Sequence, residues 1–261
     1  MKRYLHIYGR YFHYSLMKLM EYRADFFITL VHLLIYTFFN VIFFKAVLSN
    51  AKSIAGWNYP QMIVLIGTFM ILDSLFFTFF LGNFGNFDVL VRRAEMDRIL
   101  TKPVDAQFVS TLQLIDFKEV PSFFIGALVV VFGFIKIGLM PNPILLIPYF
   151  FYLLVSMAVI YSVGVTLSCI AFYFEKAEDL HEIMISFWQF AKFPDIYKGV
   201  VKAMFMVMMP VVFASYVPSG IFFGKVPMCF LAYYFVFSIF LLFFSRKVFK
   251  ISLRRYKSAG G

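Results

Sequence analysis

The chain has 261 residues, of which 62% are hydrophobic and only 15% are charged, and its net charge is +10. Soluble domains are about 45–50% apolar and about 25% charged, so a soluble fold of this length cannot bury this much apolar surface. Intrinsic disorder is also excluded, because disordered chains are poor in apolar residues and rich in charge. A membrane protein is the class that remains.

The N-terminal segment comes first in the chain. Apolar residues recur at helical spacing over residues 4–22, at Leu5, Tyr8, Phe12, Leu16 and Leu19. This pattern predicts an amphipathic helix in the headgroup layer of the membrane. The alternative is a basic flank that only stops translocation of the first span.

Long uncharged stretches then predict six transmembrane helices, since about 20 mostly apolar residues cross the hydrocarbon core. We therefore expect an all-α membrane protein with a single transmembrane domain over residues 1–261. The predicted spans are about 26–48, 60–83, 119–139, 144–174, 200–217 and 226–246. The loop between the second and third spans covers residues 88–117.

The distribution of basic residues predicts the orientation. Twenty of the 24 Lys and Arg residues lie in the terminal segments and in the loops that follow the second and fourth spans. The other four lie on the opposite side and are Lys45, Lys52, Lys136 and Lys225. An excess of Lys and Arg marks the cytoplasmic side, so both termini are expected in the cytoplasm. The charge thereby has an explanation other than nucleic-acid binding, and no nucleic-acid partner is expected.

Asp73 lies near the middle of the second predicted span. A carboxylate at this depth is costly and is by default a functional hypothesis, such as cation binding or proton relay. The structural alternative is a protonated carboxyl, or one paired inside the bundle with a partner such as His32. We favour the structural alternative, because no second acidic or basic partner lies deep in the membrane beside Asp73, and Lys45 and Lys136 lie near the ends of their spans.

Small residues on the fourth span predict close helix packing. They form two pairs with the spacing small-x-x-x-small, Ser162 with Thr166 and Gly164 with Ser168. Such pairs allow two helices to approach closely in a membrane. They do not identify the packing partner.

Sequence motifs for catalysis are absent from the chain. It has no G-x-x-x-x-G-K-[ST] phosphate loop, no H-E-x-x-H, no G-x-S-x-G and no C-x-x-C. Its four histidines do not have the spacing of metal ligands. We therefore expect no catalytic residue, no bound cofactor and no metal on this chain, and no enzymatic activity of the chain by itself.

The loop 88–117 contains the most informative segment. Residues 90–100 predict a short amphipathic helix with Met96, Ile99 and Leu100 available to dock. Pro103 ends this helix, and Asp105 can cap the next one. The segment is either a surface helix at the membrane or a plug that enters a groove on a cytoplasmic partner.

Two strings in the chain resemble the ABC type-2 exporter permeases, in particular those of this length without a fused ATPase. The first runs from Arg92 to Asp105 with the pattern R-x-x-E-x-D-R-I-L-T-K-P-V-D. The second comprises Phe187, Gln189 to Ala191, Phe193-Pro194, Ile196-Tyr197, Met209 to Val211 and Tyr216 to Pro218. One departure is Ala94, where many relatives have Gly. Helix propensity makes Ala harmless or stabilising at that position.

The resemblance implies a permease subunit in a bacterial-type plasma (inner) membrane that exports a hydrophobic or amphiphilic compound. The complex would contain two separate ATPase subunits, which bind ATP and Mg, and a second copy of this permease or a related one. The N-terminal helix would be the connecting helix, and residues 218–225 would be a remnant of an outer re-entrant region. The segment from residue 92 to 103 would be the coupling helix, with these partner-binding residues: Arg92, Arg93, Glu95, Met96, Asp97, Arg98, Ile99, Leu100, Lys102 and Pro103.

Two other functions remain open from the sequence. One is an ion-coupled secondary carrier or channel that uses Asp73. The other is a membrane scaffold that anchors a cytoplasmic partner without transporting anything.

Overall fold

The structure is a computed structural model of the full chain. It describes residues 2–21, 23–50, 53–54, 56–138, 142–174, 182, 185, 186, 188 and 210–256. In the continuous stretches the α-helices are α1 (Lys2–Glu21), α2 (Arg23–Asn50), α3 (Tyr59–Phe76), α4 (Gly82–Gly85), α5 (Phe87–Arg92), α6 (Met96–Leu100), α7 (Ala106–Leu112), α8 (Val120–Ile137), α9 (Pro143–Ser168), α10 (Tyr216–Ile221) and α11 (Met228–Leu253). A π-helix, Phe77–Leu81, continues α3, and a 3-10 turn, Phe117–Glu119, leads into α8.

Five helical segments of the described chain are long and apolar enough to cross a membrane. They are Arg23–Ser49, Tyr59–Arg92, Phe117–Ile137, Pro143–Phe172 and Met228–Leu253. These segments correspond to the first, second, third, fourth and sixth predicted spans. The fifth, 200–217, lies mostly outside the described residues, and its end contains the 3-10 turn Pro210–Phe213 and the start of α10. The part of the chain that the structure describes is therefore helical, and its apolar helices mark the protein as a multi-pass membrane protein.

Helix α3 is the central helix of the described bundle, and it packs closely against α8. The start of α3 is fixed by Asn58, which accepts a hydrogen bond from the backbone of Gln61 at 3.1 Å. A Cβ atom at Gly67 would lie 2.7 Å from the backbone nitrogen of Val130 and 2.8 Å from the carbonyl oxygen of Gly126. The two backbones therefore approach each other more closely than any side chain larger than hydrogen allows.

The contact between α3 and α8 provides the first testable prediction. Gly67→Ala is expected to lower the free energy of unfolding by about 1–3 kcal/mol, because the new methyl group overpacks a backbone contact that cannot yield. Gly9→Ala is the matched control, since a Cβ atom at Gly9 in α1 meets nothing within 4 Å. Denaturant or thermal unfolding in detergent measures both variants. Equal stability of the two would contradict the packing described here.

Gly164 is the small residue of α9 at which the structure shows close packing. The ring of Phe84 in α4 occupies the space at Gly164, where a Cβ atom would lie 2.2 Å from a ring carbon. The hydroxyls of Ser162, Thr166 and Ser168 donate to carbonyls four residues earlier at 2.7, 2.8 and 2.9 Å. These polar groups are thus paired within the helix, and close packing is confirmed at Gly164.

Helices α9 and α11 form the second close pair. The hydroxyl of Ser156 donates to the carbonyl of Ala214 at 2.9 Å, and the Tyr234 hydroxyl donates to Ser156 at 3.4 Å. By contrast, α2 and the outer face of α11 expose large apolar side chains, among them Phe27, Ile28, Phe38, Phe240 and Phe243. Such faces suit contact with lipid or with another membrane-spanning subunit.

Contacts of Lys225 join the segment before α3 to the segment after α10. The Lys225 amine donates to the carbonyl of Gly56 at 2.5 Å and lies 4.7 Å from the centre of the Trp57 ring. The hydroxyl of Tyr216 donates to the carbonyl of Lys225 at 3.1 Å. Lys225 therefore has a structural contact at the end of the bundle where the sequence predicts few basic residues.

Candidate functional site

The segment that follows the second span is two short helices with a sharp turn between them. Helix α5 ends at Arg92, α6 begins at Met96, and Ala94 between them has a φ of +56°. The predicted continuous helix over residues 90–100 is therefore wrong. A residue in the left-handed region cannot continue a right-handed helix.

The same turn corrects the interpretation of Ala94. Except for Asn and Asp, a residue with a Cβ atom in the left-handed region costs about 1–2 kcal/mol, because this atom crowds the following carbonyl oxygen. Ala at this position is thus strained, and the expectation that it is harmless or stabilising is wrong. The propensity argument applies only inside a helix, and Ala94 lies between two helices.

Relief of this strain gives the second testable prediction. Ala94→Gly is expected to raise the free energy of unfolding by about 1 kcal/mol, since Gly adopts a positive φ without a steric cost. The same substitution inside α9, Ala158→Gly, should lower it by about 1 kcal/mol. Thermal unfolding of both variants in one detergent measures the difference in sign. A destabilising Ala94→Gly would contradict the left-handed turn.

The turn decides which side chains of the segment face outward. Met96 is 0% and Ile99 is 4% exposed, and both belong to the hydrophobic core of this chain. Contrary to the sequence-based expectation, neither is available to dock on another protein. Leu100, at 42% exposed, remains available. The apolar side of α6 therefore fixes the segment to the bundle, and the opposite side is free to meet a partner.

The outward side of the segment is predominantly basic. We define the basic surface as the exposed residues between 92 and 103, namely Arg92, Arg93, Arg98, Leu100, Thr101, Lys102 and Pro103. Arg92 is also paired with Asp88 at 3.4 Å. The two predicted acidic members are less exposed, with Glu95 half-buried and Asp97 half-buried beside Tyr256. The basic surface thus carries four positive charges on a rigid, internally packed support.

Asp105 anchors the end of this segment. It is the N-cap of α7 and accepts a hydrogen bond from the backbone of Phe108 at 3.0 Å, so the predicted capping role is confirmed. Both of its carboxylate oxygens also accept from the guanidinium of Arg246 in α11. Burial alone would raise the pKa of Asp105, but the hydrogen bonds from Arg246 and from the backbone outweigh it and lower that pKa.

The ion pair between Asp105 and Arg246 belongs to a larger hydrogen-bonded network. Arg246 also donates to the side-chain oxygen of Gln107 at 2.9 Å, and the amide nitrogen of Gln107 donates to the hydroxyl of Tyr161 in α9 at 3.1 Å. The backbone N–H of Asp105 donates to the hydroxyl of Tyr4 in α1 at 3.2 Å. The network therefore connects the end of the basic surface to α1, α9 and α11.

The sequence does not reveal this network, although it draws attention to Asp105 and to Arg246 separately. The sequence predicts that Asp105 caps a helix, and it counts Arg246 among the basic residues that indicate the orientation. The two residues are 141 positions apart, so no local pattern joins them. A signal does exist, since Arg246 lies at the end of the last predicted span, where a charged side chain faces the cost of burial unless it finds a partner or water.

Helix α1 packs on the same region of the chain. The ring of Tyr4 meets the ring of Phe108 edge-on at 5.1 Å, and Phe12 meets Phe117 edge-on at 4.8 Å. Burial raises the pKa of Tyr8, whose ring lies 6.4 Å from that of Phe108. Part of the predicted apolar face of α1 is therefore covered by the segment that follows the basic surface.

Asp73 has a structural partner in the bundle. The indole N–H of Trp188 donates to its carboxylate at 2.5 Å, and the Trp188 ring stacks on Phe69 with ring centres 5.2 Å apart. The suggested partner His32 instead stacks on Tyr36 in its own helix. The pairing predicted for Asp73 is thus found, but with a different residue.

A second carboxyl group lies near Asp73. Glu119, at the start of the third span, is close enough to interact with the charge of Asp73, and its carbonyl accepts a hydrogen bond from Ser74 at 2.8 Å. The sequence alone does not indicate this neighbour of Asp73, since Glu119 lies at the very start of the third predicted span. Among the described residues, no group of three His, Cys, Asp or Glu side chains could hold a metal ion.

Comparison with known proteins identifies a family. A sequence model described as ABC-2 family transporter protein matches residues 34–260, which is most of the chain. Searches of the curated proteins and of the solved structures found no match.

Proposed function

Because the chain belongs to the ABC-2 family of transporter proteins, we propose that it is the transmembrane permease subunit of an ATP-driven exporter. Two separate ATPase subunits bind ATP and Mg and supply the energy. The membrane part is completed by a second copy of this chain or by a related permease. The cargo is a hydrophobic or amphiphilic compound, and the complex lies in a bacterial-type plasma (inner) membrane with both termini of this chain in the cytoplasm.

The basic surface is the observation that carries this proposal. A partner that drives transport must hold a segment that is exposed to it and rigidly joined to the transmembrane helices. The basic surface is exposed, while Met96 and Ile99 beneath it are buried in the bundle. Its positive charge suits an acidic groove, and complementary charge favours fast and specific association.

The network behind the basic surface suggests how motion reaches the helices. Asp105 is bound to Arg246 of α11, and Gln107 connects the same point to Tyr161 of α9. In this mechanism ATP binding closes the ATPase subunits, and the basic surface moves with them. Since α9 and α11 are packed together, they move as one rigid body, which is a common form of switching at an interface between packed elements.

The cargo passes between the two permease protomers in this mechanism. The resemblance to ABC type-2 permeases implies a path along faces of the first, second and fifth predicted spans. Of the two that the structure describes, α3 is mostly buried, whereas α2 exposes Phe27, Ile28, Phe38 and other apolar side chains. The exposed face of α2 is therefore the described surface that best suits contact with an apolar cargo or with the second protomer.

The contacts of Asp73 favour a structural role over ion coupling. Its carboxylate accepts the hydrogen bond of a Trp188 side chain that is 2% exposed, so this side of the group is shielded from water. A carrier that cycles protons or ions needs a carboxyl group that exchanges with water. For this reason we do not assign an ion-coupled carrier to this chain.

Reconstitution tests the proposed function. The full chain is purified from its own membrane, and the co-purifying subunits are identified by mass spectrometry. We expect an ATPase subunit with a phosphate-binding lysine motif, in equal number to the permease, and ATP-dependent export in proteoliposomes. Transport driven by a pH or ion gradient without ATP, and lost in Asp73→Asn, would overturn the proposal in favour of a carrier. Association with a partner without any flux would favour a scaffold.

A further inference from the structure

A cavity of about 410 Å³ lies where α1, the start of α2, the π-helix after α3 and the segment before α8 meet. This volume falls within the range of small-molecule sites, about 300–1,000 Å³. Its apolar wall includes Leu19, Phe26, Phe77, Leu114 and Phe117. The cavity is separate from the basic surface and from the contacts of Asp73 described above.

The wall of the cavity contains a buried hydroxyl group that lacks a hydrogen bond. Thr78 is 2% exposed, and its hydroxyl has no partner in the part of the chain that the structure describes. Thr37, Thr68 and Thr166 each donate to the carbonyl four residues earlier, whereas Thr78 lies in the π-helix and makes no such bond. Buried polar groups are nearly always paired, so this hydroxyl is suited to a polar atom of a ligand.

The rim of the cavity carries charges of both signs. The amine of Lys118 lies 3.6 Å from a carboxylate oxygen of Asp25 and 3.5 Å from one of Asp116, and these carboxylates remain 58% and 48% exposed. Lys18, also on the rim, makes no ion pair with any residue that the structure describes. Two cationic and two anionic groups thus line the mouth of the cavity, and a zwitterionic ligand would complement them.

The position of the cavity along the helices indicates the depth of the ligand. Two membrane-spanning segments, Arg23–Ser49 and Phe117–Ile137, both begin beside it, so it lies at the boundary between water and hydrocarbon. Farther along these helices, Phe27 and Phe124 are 59% and 62% exposed. An amphiphile with its polar end at the rim can therefore extend its apolar part along α2 and α8.

We propose that this cavity binds a zwitterionic phospholipid of the adjacent leaflet. Lys18 contacts its phosphate, Asp25 and Asp116 contact its ammonium group, and the hydroxyl of Thr78 donates to an ester carbonyl. The apolar wall covers the upper part of an acyl chain. The proposal needs only the insertion of the chain in a membrane, and it stands or falls independently of the transport function.

Native mass spectrometry of the full chain in delipidating detergent tests the proposal. The probe is palmitoyl-oleoyl phosphatidylethanolamine, and its affinity is measured for Lys18→Met and for Thr78→Val. Each substitution is expected to weaken binding at least about fivefold, because each removes one polar contact to the lipid. The matched controls are Lys136→Met, at the other end of α8, and Thr166→Val in α9. They should change the affinity less than about twofold. Cavity variants that bind as tightly as the controls would overturn the proposal.

The headgroup specificity is tested with a second lipid. Palmitoyl-oleoyl phosphatidylglycerol has the same chains and phosphate but no ammonium group, and it is expected to bind at least about fivefold more weakly. The double substitution Asp25→Asn and Asp116→Asn should abolish this preference. Equal affinity of the unmodified chain for both lipids would overturn the assignment of a zwitterion. Equally strong competition by soluble phosphoethanolamine would overturn the assignment of a membrane lipid.

Photolabelling provides a readout that needs no substitution. A phosphatidylethanolamine with a photoactivatable group in its acyl chain is irradiated with the unmodified chain in nanodiscs. Adducts are expected on peptides that contain residues 14–26, 77–82 and 114–118. Adducts found only on other peptides would contradict the site. Because this experiment uses the unmodified chain, its result does not depend on whether the substituted variants fold.

Discussion

Reversal of charge on the basic surface, with Arg93→Glu, Arg98→Glu and Lys102→Glu combined, is expected to lower ATPase co-purification at least about tenfold. Placing like charges opposite each other in an interface costs several kcal/mol, and about 1.4 kcal/mol already corresponds to a tenfold loss of affinity. All three side chains are exposed, so the chain should still fold. Quantitative mass spectrometry of the purified complex measures the loss.

The control for this experiment reverses the same number of charges in the C-terminal segment, on the side of the membrane where the sequence predicts most basic residues. Lys247, Lys250 and Arg254 are exposed at the end of α11 and just beyond it. Their replacement by Glu changes the net charge by the same amount outside the basic surface. If both triple variants retain the ATPase, or if both lose it equally, the basic surface is not the specific contact.

Substitutions of the buried residues beneath the basic surface do not test docking, because they disturb the folding of the segment. Met96 is 0% exposed, so Met96→Asp places a carboxylate in the core of the chain. Burial of an unpaired charge is costly enough to unfold or distort the segment. Loss of a partner in that variant would therefore report on folding. Leu100→Asp is the informative apolar substitution, because Leu100 is exposed.

The second large effect is expected at the ion pair behind the basic surface. Arg246→Gln removes a guanidinium that donates to both carboxylate oxygens of Asp105 and to Gln107. Hydrogen bonds to charged groups contribute about 1.5–3 kcal/mol, so we expect a loss of about 2 kcal/mol in the free energy of unfolding. In proteoliposomes with the ATPase, transport should fall about tenfold while ATP hydrolysis continues, because the basic surface is no longer held to α11.

A double-mutant cycle separates the ion pair from the general effect of losing a charge. Asp105→Asn, Arg246→Gln and their combination should give a coupling energy above about 1 kcal/mol. The matched pair is Asp88 with Arg92, which are 3.4 Å apart within one helix, and its coupling should stay below about 0.5 kcal/mol. Equal coupling energies in the two cycles would show that the network between Asp105 and Arg246 has no special role.

The pH dependence of stability tests the same carboxylate without disturbing its partner. The pKa of Asp105 is lower in the folded chain than its ordinary value, so its ionised form stabilises the fold. This contribution is complete above the unfolded pKa of about 3.9 and is lost as the pH falls through the lower, folded pKa. Between about pH 5 and pH 3 the unmodified chain should therefore lose more stability than Asp105→Asn. Parallel losses would contradict the role of Asp105.

Apolar patterning was sufficient to predict the helices that make up the bundle. Uncharged stretches identified α2, α3, α8, α9 and α11, because a membrane span has to be apolar over its length whatever it packs against. Asp105 was also predictable as a helix cap, since capping depends on residues that are adjacent in sequence.

The arrangement around the basic surface was not predictable in this way. Helix propensity misjudged Ala94, because it does not report that the chain turns at this position. Amphipathic spacing identified Met96 and Ile99 as one apolar face, but spacing alone cannot distinguish a face covered by the same chain from one covered by a partner. The partners of Asp73 and of Arg246 are more than 100 residues away in sequence. Their pairing depends on the tertiary fold.

Site-specific photocrosslinking tests the central claim most directly. A photoreactive amino acid replaces Arg98 on the basic surface, and in a second variant it replaces Lys136 at the far end of α8. After irradiation of intact membranes, the Arg98 position should crosslink to a subunit that contains a phosphate-binding lysine motif, and the Lys136 position should not. If neither position reaches such a subunit while the chain still transports its cargo, or if both do so equally, the claim that the basic surface receives the motion of an ATPase is contradicted.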